Sequence, residues 1–364
     1  IAILISLITL LGIMTVFNTT SAQVVDKSLD VNANYAFVKQ LACLGLACAL
    51  ALFTYFFGYK KVLDISGILL LFFAVLLVLV FIPPFGKKIN GSYRWVNFFG
   101  ISLQPSEFIK YLVPIYYFKL ISKVKNIDFK AFLKILSRFL PIILLILAEP
   151  DNGCVFIILC SLIICFFLTK IKLSYWFFPI LICSILGATV AFNMKYVSER
   201  IKVYLNPELD IQGRGHQAYQ SKIAVGSGGV FGKGIGNSLQ KMNYLPGARN
   251  DYIAAIFAEE TGFFGIFFLI TSYLLLVSCG FYISYRASSI MGFYLSASMT
   301  FLIAFQVFLN LGVVSGILPS KGINLPFFSQ GGCSLLANFF ATGLILNINK
   351  ESSRVFKCKK IKKY

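Results

Sequence analysis

Residues 65–82 read ISGILLLFFAVLLVLVFI, an uninterrupted apolar run without a charged side chain. A bilayer core about 30 Å thick is crossed by about 20 apolar residues in a helix. A helix also satisfies its own backbone hydrogen bonds, which lipid cannot do for it. This run therefore predicts a helix that spans a membrane.

Similar apolar runs recur along the whole chain of 364 residues. The candidate spans lie at 1–17, 37–57, 65–82, 105–122, 137–149, 153–169, 174–194, 252–277, 290–312 and 331–349. Charged residues make up only 13% of the chain, about half the share found in soluble domains. We predict an all-α polytopic membrane protein with about ten transmembrane helices, forming one domain over 1–364.

The net charge of +19 is concentrated in alternate connections and in the tail after 349. Basic residues favour cytoplasmic loops, so this pattern predicts that both termini are cytoplasmic. It also makes nucleic acid a less favoured partner than the lipid bilayer. The longest outer loop is then 195–250. Since the chain begins at Ile1 inside an apolar run, we expect the true N-terminus to precede it.

The acidic residues are distributed unevenly between the two predicted sides of the membrane. Of fourteen carboxylates, three lie on the cytoplasmic side and the others on the outer side. The outer set is Asp26, Asp30, Glu107, Glu149, Asp151, Glu199, Glu208, Asp210, Asp251, Glu259 and Glu260. With His216 as the single histidine, the sequence indicates no Ser-His-Asp triad. Acid–base chemistry must therefore rest on carboxylates, and we expect the active site on the outer face.

Asp251, Glu259 and Glu260 adjoin or lie within an apolar span. A charge inside a membrane segment costs at least about 2.5 kcal/mol and usually marks function. Two structural alternatives stay open. Asp251 could be the N-cap of its own helix, and the two glutamates could form ion pairs with a neighbouring Lys or Arg.

Other outer residues suit an anionic ligand. Arg94 matches the geometry of a phosphate or carboxylate. Glu107 and Lys110 share a helix face, so they form either an ion pair or part of a ligand site. The glycine-rich segment 226–236, which contains Lys233, could cradle phosphate through its backbone amides. A flexible re-entrant hairpin is the alternative for that segment.

Ordered motifs over nearly the whole chain resemble the SEDS family, which includes FtsW, RodA and SpoVE. The motifs are Asn90-Gly91-Ser92-Tyr93-Arg94-Trp95, Gln104-Pro105-Ser106-Glu107 with Lys110, Pro150-Asp151-Asn152-Gly153, Leu205-Asn206-Pro207, Gly226-Ser227-Gly228-Gly229, Gly232-Lys233-Gly234-Ile235-Gly236, Asp251, Glu259-Glu260, Leu318-Pro319-Ser320-Lys321-Gly322 and Ser329-Gln330-Gly331-Gly332.

The resemblance implies a peptidoglycan glycosyltransferase that polymerises lipid II at the outer leaflet of the bacterial inner membrane. It implies a class B penicillin-binding transpeptidase and other divisome proteins as partners, and no organic cofactor. The family's essential aspartate falls on Asp251. Lys321 resembles the division type, FtsW, more than the elongation type, RodA, which stays an alternative.

The sequence departs from the family near this aspartate. Gly247, Arg249 and Asn250 stand where the family usually has Glu, His and Thr. His216 and Gln330 each replace a usual Tyr. These changes leave the carboxylate in place but alter the residues that precede it.

The mechanism that we expect uses Asp251 as general base for one inverting displacement of undecaprenyl diphosphate. Basic groups, or a divalent cation such as Mg²⁺ or Mn²⁺, would stabilise the leaving diphosphate. The residues predicted to bind substrate or diphosphate are Arg94, Glu107, Lys110, Arg200, Lys233, Lys241, Glu259 and Ser329. A lipid II flippase and a non-catalytic scaffold are the rival functions.

Overall fold

The computed structural model describes residues 1–25, 33–83, 85–89, 92–98, 101–124, 127–181, 204, 210, 213, 215–242, 244–320 and 322–361. Helices dominate the described part of the chain. They are α1 (Ala2–Val25), α2 (Ala33–Phe57), α3 (Tyr59–Leu79), α4 (Pro105–Ile121), α5 (Phe129–Leu136), α6 (Leu140–Ala148), α7 (Asn152–Leu168), α8 (His216–Ser227), α9 (Ile253–Tyr285), α10 (Ile290–Val314) and α11 (Gly332–Ile361).

Seven spans among the described residues are long and apolar enough to cross a bilayer. They are the cores of α1, α2 and α3, the joined pair α5 and α6, and the cores of α9, α10 and α11. The buried helix α4 and the apolar helix α7 have 17 residues each. The prediction of a polytopic all-α membrane protein is confirmed. The predicted span 174–194 lies outside the described residues beyond 181.

The fifth predicted span has a wrong boundary. The apolar run suggested a start at 137, whereas the structure has one span over Phe129–Ala148. Lys130 and Lys134 caused the error, because they make the first turns look like a loop. Long lysine side chains can keep their charge in water while their stems cover apolar surface.

A small sheet occupies the connection between α3 and α4, where the sequence predicted only a loop. It has three antiparallel strands in the order β1 (Gly86–Ile89), β2 (Ser92–Phe98) and β3 (Ile101–Leu103). The strands are short, so their alternating pattern is weak. The strand β2, which carries Arg94, contacts both α3 and α4.

The helix α4 lies at the centre of the bundle, where it contacts α3, α7, α10 and α11. Its first residue, Pro105, has the φ that suits the first helical turn. Most of its side chains are buried, including Ser106 and Lys110. Polar groups on α4 are therefore enclosed by protein and need protein partners.

The helix α9 is interrupted at Gly262, whose φ of 68° and ψ of −160° are not helical. In a regular helix, Phe263 N–H would donate to the carbonyl of Glu259. Instead, Phe263 N–H donates to the carbonyl of Gly229 at 3.0 Å. The freed Glu259 carbonyl accepts from Lys233 N–H at 3.0 Å. The glycine-rich loop thus inserts into the hydrogen-bond ladder of α9.

The same exchange occurs one residue further along. Glu260 O accepts from Gly234 N–H at 3.0 Å, and Phe264 N–H donates to Val230 O at 3.4 Å. An interruption of a membrane helix is tolerated when protein groups satisfy the freed backbone. The loop 228–236 supplies these groups, which explains how a non-helical residue is accommodated here.

Replacing Gly262 with alanine is expected to prevent normal folding. A Cβ there would lie 2.3 Å from Gly232 N, and the positive φ is unfavourable for any L side chain. The control is Gly226→Ala, where a Cβ meets nothing within 4 Å. We expect Gly226→Ala to be folded, because alanine favours a helix. Thermal unfolding and monodispersity in detergent measure both. A Gly262→Ala protein as stable as the control would contradict this account.

Candidate active site

Asp251 lies immediately before α9, with its side chain partly buried. The N-cap of α9 is Tyr252, not Asp251, and the Tyr252 side chain makes no capping hydrogen bond. The structural alternative for Asp251, that it caps its own helix, is therefore not what the structure shows. Gly322 lies beside the carboxylate, since a Cβ on that glycine would be 3.6 Å from Asp251 Oδ2.

The backbone around Asp251 is held by polar side chains of neighbouring elements. Asn310 of α10 donates through Nδ2 to the carbonyls of Asp251 at 2.8 Å and Ile323 at 2.7 Å. The Ser329 hydroxyl donates to the carbonyl of Asn250 at 2.7 Å. These bonds fix the main chain, and they run through backbone carbonyls rather than through the Asp251 carboxylate.

Ser329 therefore acts in the structure through the main chain. Its hydroxyl also accepts from Leu325 N–H at 2.8 Å, and Gln330 N–H donates to the carbonyl of Arg249 at 3.0 Å. The Ser-Gln-Gly-Gly motif thus tethers the segment that carries Asp251. The substrate-binding role predicted for Ser329 stays a prediction.

Burial raises the pKa of Asp251 to about 6. The positive charge of Arg94 opposes this shift, while the negative charges of Glu107 and Asp151 add to it. These four residues come from the segment before α9, from β2, from α4 and from the α6–α7 connection. The structure therefore brings together one guanidinium and three carboxyl groups that are far apart in sequence.

Asp151 caps the N-terminus of α7. Its Oδ1 accepts from Cys154 N–H at 3.3 Å, and its Oδ2 accepts from Gln104 Nε2 at 3.2 Å and from the Ser106 hydroxyl at 3.3 Å. Burial raises the pKa of this carboxyl, and Arg94 opposes the shift. Asp151 thus joins the start of α4 to the start of α7.

Glu149 is a buried carboxyl group whose two oxygens have no hydrogen-bond partner among the described residues. Burial and the nearby charge of Asp151 raise its pKa to about 8, against the effect of Arg94. At neutral pH the group is therefore mostly protonated. A neutral carboxyl group avoids the large penalty of an unpaired buried charge.

Arg94 reaches from β2 to the α6–α7 turn. Its Nε donates to the carbonyl of Glu149 at 3.4 Å and its Nη2 to that of Pro150 at 2.5 Å. Both partners are neutral carbonyl groups, and no described carboxylate lies within ion-pair distance of this guanidinium. Its charge is therefore available to an anionic ligand.

Lys110 is almost completely buried, and its charge is held by neighbouring side chains. Its ammonium donates to Glu107 Oε2 and to Gln306 Oε1, both at 2.6 Å. Gln306 donates in turn to the Tyr111 hydroxyl at 3.1 Å, which donates to Asn338. The ion pair that the sequence left open is thus present, inside a polar network that joins α4, α10 and α11.

Glu259 is fully buried, and its partners lie between residues 227 and 240, a stretch that includes the glycine-rich loop. Its carboxylate accepts from Lys233 Nζ at 2.6 Å and from the hydroxyls of Ser227 and Ser238. It also accepts from the backbone amides of Leu239 and Gln240, both at 3.2 Å. This arrangement matches the structural alternative, in which Glu259 forms an ion pair with a neighbouring lysine. The loop supplies that lysine, Lys233.

Glu260 forms a second buried pair next to the first. Its carboxylate accepts from Lys241 Nζ at 2.8 Å and from Asn18 Nδ2 of α1. Lys241 Nζ also donates to Asn18 Oδ1 at 2.9 Å. The cluster ties the loop, α9 and α1 together. The predicted diphosphate-binding roles of Lys233 and Lys241 would require these ammonium groups to leave buried carboxylates.

Two other predictions concern a metal ion and Arg200. Within the described ranges, no group of three or more His, Cys, Asp or Glu side chains could hold a metal ion. These residues thus offer no protein site for the predicted divalent cation, and that cation stays a prediction. Arg200 lies outside the described residues.

Sequence reasoning missed several polar residues that shape the site. Asn310 and Gln306 were counted as part of an apolar span, and Glu149 and Asp151 were not assigned to the site. A signal was present for the amides, because Gln306 and Asn310 are four residues apart and share a helix face. Amide side chains buried in a membrane helix need partners, which here include the Asp251 carbonyl.

The amino-acid sequence is similar to known proteins over nearly its whole length. A family model described as a cell cycle protein, FTSW_RODA_SPOVE, matches residues 1–354. A probable peptidoglycan glycosyltransferase FtsW from Coxiella burnetii is 35% identical over 94% of this chain and 93% of its own. Stage V sporulation protein E from Bacillus subtilis is 34% identical over 96% of this chain and 97% of its own.

Solved structures share the fold. A chain from a peptidoglycan synthase complex that coordinates polymerization and crosslinking has a TM-score of 0.79 and 23% identity, covering 96% of this chain and 97% of its own. The rod shape determining protein RodA of Thermus thermophilus has a TM-score of 0.68 and 22% identity, covering 96% and 95%. Since the family match extends over nearly the whole sequence, this chain belongs to the FtsW, RodA and SpoVE family of cell cycle proteins.

Proposed function

We propose that this protein is a peptidoglycan glycosyltransferase that polymerises lipid II during cell division. The observation that carries the proposal is a single carboxylate, Asp251, placed at the apolar start of α9 with its pKa raised to about 6. A general base is most effective when its pKa lies near the operating pH. Asp251 is mostly ionised at neutral pH and yet more basic than an ordinary aspartate.

In the reaction, Asp251 takes the proton from the 4-hydroxyl of the acceptor sugar. The hydroxyl oxygen forms a bond to the anomeric carbon of the growing chain as the bond to undecaprenyl diphosphate breaks. The electron pair leaves with the diphosphate, and the proton stays on Asp251. One displacement inverts an α-linked diphosphate to a β-1,4 bond, so the reaction needs no covalent nucleophile.

Arg94 is the group best placed to stabilise the leaving diphosphate. Its guanidinium carries a charge that no described carboxylate neutralises, and it acts electrostatically on Asp251. Planar guanidinium groups suit bidentate contacts with phosphate oxygens. Lys110, by contrast, is held by Glu107 and Gln306. Its role would be to position the start of α4, which carries Glu107.

The proposal includes a sidedness and a partner. Basic connections put both termini in the cytoplasm, so Asp251 would face outward from the bacterial inner membrane, where lipid II is polymerised. The related synthase complex couples polymerization to crosslinking. This supports a class B penicillin-binding transpeptidase as partner, together with other divisome proteins.

The test is an assay of the purified chain with a class B transpeptidase in vesicles that contain fluorescent lipid II. Polymer length is read on gels, and leaflet exchange is read by quenching of the outer label in the same sample. We expect glycan polymer. Exchange of lipid II between leaflets without polymer would overturn the proposal in favour of a flippase. If neither polymer nor exchange were detected, the result would favour a scaffold.

A further inference from the structure

The distribution of exposed apolar side chains along α9 indicates where this helix enters the membrane. Residues from Ile253 to Glu260 are buried in the protein. Large exposed apolar and aromatic side chains start at Phe263 and continue to Tyr285. These two residues are separated by about 33 Å of helix at 1.5 Å per residue. That length is close to the hydrocarbon thickness of about 30 Å, so Phe263 marks the hydrocarbon boundary on the Asp251 side.

The glycine-rich loop is attached to α9 at this boundary. Its backbone forms hydrogen bonds with residues on both sides of Gly262. Lys233 N–H donates to Glu259 O at 3.0 Å, and Gly229 O accepts from Phe263 N–H at 3.0 Å. The ring of Phe231 lies 5.6 Å from the ring of Phe264, which faces outward on α9. The loop is therefore continuous with the lipid-facing surface of the helix.

This loop exposes apolar side chains that a polar surface loop would not carry. Phe231 and Ile235 are each 83% exposed, and Val230 and Leu239 are more than half exposed. They lie in the part of the predicted loop 195–250 that the structure describes. Contiguous exposed apolar surface marks an interaction site or a membrane contact.

The charges of the loop do not oppose contact with lipid. Lys233 is paired with Glu259, and Lys241 with Glu260. Both lysines are thereby neutralised on the protein side of the loop, away from the exposed apolar side chains. The backbone amides of Lys233 and Gly234 are also satisfied by α9, which lowers the penalty of leaving water.

We propose that the loop 228–239 is a membrane-anchoring element that inserts Val230, Phe231, Ile235 and Leu239 into the bilayer at the hydrocarbon–headgroup boundary on the Asp251 side. The occupant of this apolar surface is the lipid of that leaflet. The buried pairs hold the loop to α9, so insertion of the loop fixes the height of that end of the helix.

The position of this membrane anchor determines the height of Asp251 relative to the bilayer surface. The helical part of α9 before the interruption, from Ile253 to Thr261, is about 12 Å long, and Asp251 precedes it. Asp251 therefore lies beyond the hydrocarbon boundary, at or above the level of the lipid headgroups. A sugar carried on a lipid diphosphate would meet the carboxylate at this height.

The experiment measures depth with tryptophan and brominated phospholipids. Phe231→Trp and Ile235→Trp are compared with Leu274→Trp, whose position lies about 17 Å of helix beyond Phe263, near mid-membrane. Purified variants without any partner are placed in vesicles of phosphatidylcholine brominated near the head or near the end of the acyl chains. The signal of Trp95 and Trp176 is subtracted with the unsubstituted protein.

We expect loop tryptophans to lose most emission with shallow bromine, and Leu274→Trp with deep bromine. Their emission should also be blue-shifted from that of N-acetyltryptophanamide in water. Quenching of the loop tryptophans by aqueous acrylamide, with no loss from either brominated lipid, would place the loop in water and overturn the proposal. Lipid quenching seen only after a transpeptidase or a polyprenyl lipid is added would also overturn it.

Discussion

Replacing Asp251 with asparagine is expected to lower the rate of glycan polymerisation by about 10²–10⁴-fold, the contribution that a positioned general base makes. The amide has nearly the same shape as the carboxylate but cannot take the proton of the acceptor hydroxyl. The contacts that fix this segment run through the Asp251 carbonyl, which Asn310 binds at 2.8 Å. Those contacts survive the substitution.

The stability of Asp251→Asn should therefore equal or exceed that of the unsubstituted protein, since a partly buried charge is removed. Thermal unfolding in detergent checks this beside the polymerisation assay. The matched control is Asp128→Asn, the same chemical change at an exposed helix N-cap whose side chain makes no capping bond. The control should polymerise normally. Retained polymerisation in Asp251→Asn would end the assignment of the base.

Breaking the buried pair between Lys241 and Glu260 is the second large effect that we expect. Their side chains are 3% and 4% exposed. Lys241→Met leaves the Glu260 carboxylate buried with Asn18 as its remaining partner. Removing one member of a buried ion pair destabilises a protein by about 3–5 kcal/mol. Denaturation in mixed micelles measures this loss.

Two further variants separate the causes. Lys60→Met removes an ion pair with Glu351 whose side chains are 66% and 28% exposed, and such pairs contribute no more than about 1 kcal/mol. The double variant Lys241→Met with Glu260→Gln removes the orphaned charge and should recover much of the loss. If Lys241→Met were as stable as Lys60→Met but weakened substrate binding, Lys241 would be a diphosphate ligand instead of a structural cation.

The class of the fold was predictable because hydrocarbon imposes one strong rule on the chain. Most of the apolar run 65–82 lies in a helix, α3, which begins earlier, at Tyr59, and ends at Leu79. The earlier start includes Lys60, Lys61 and Asp64, whose charges reach water at the helix end. Sequence hydropathy finds such cores well and their ends less well.

The interruption of α9 was not predictable in the same way. Gly262 lies in an apolar run, and one glycine in a helix gives no sign of a positive φ. The interruption depends on a loop more than twenty residues away, whose amides replace the missing helical partners. Non-local pairing of this kind leaves no periodic pattern in the sequence.

The candidate site was predictable only in part. Asp251, Arg94 and Glu107 were chosen from charge and motif, and the structure brings them within electrostatic range of one another. Lys233 and Lys241 satisfied the same criteria but are paired with buried glutamates. Sequence shows which charges are present, whereas only the packed structure shows which of them are already neutralised.

The pH dependence of polymerisation by the purified protein with its transpeptidase tests the central claim most directly. The pKa of Asp251 is raised to about 6, and the base must be unprotonated to act. The logarithm of the rate should therefore fall with unit slope as the pH drops below about 6 and level off above it. Thermal unfolding over the same pH range would show that the protein remains folded. A rate that stays flat from pH 5 to pH 7 would contradict the claim that one carboxylate at residue 251 activates the sugar hydroxyl.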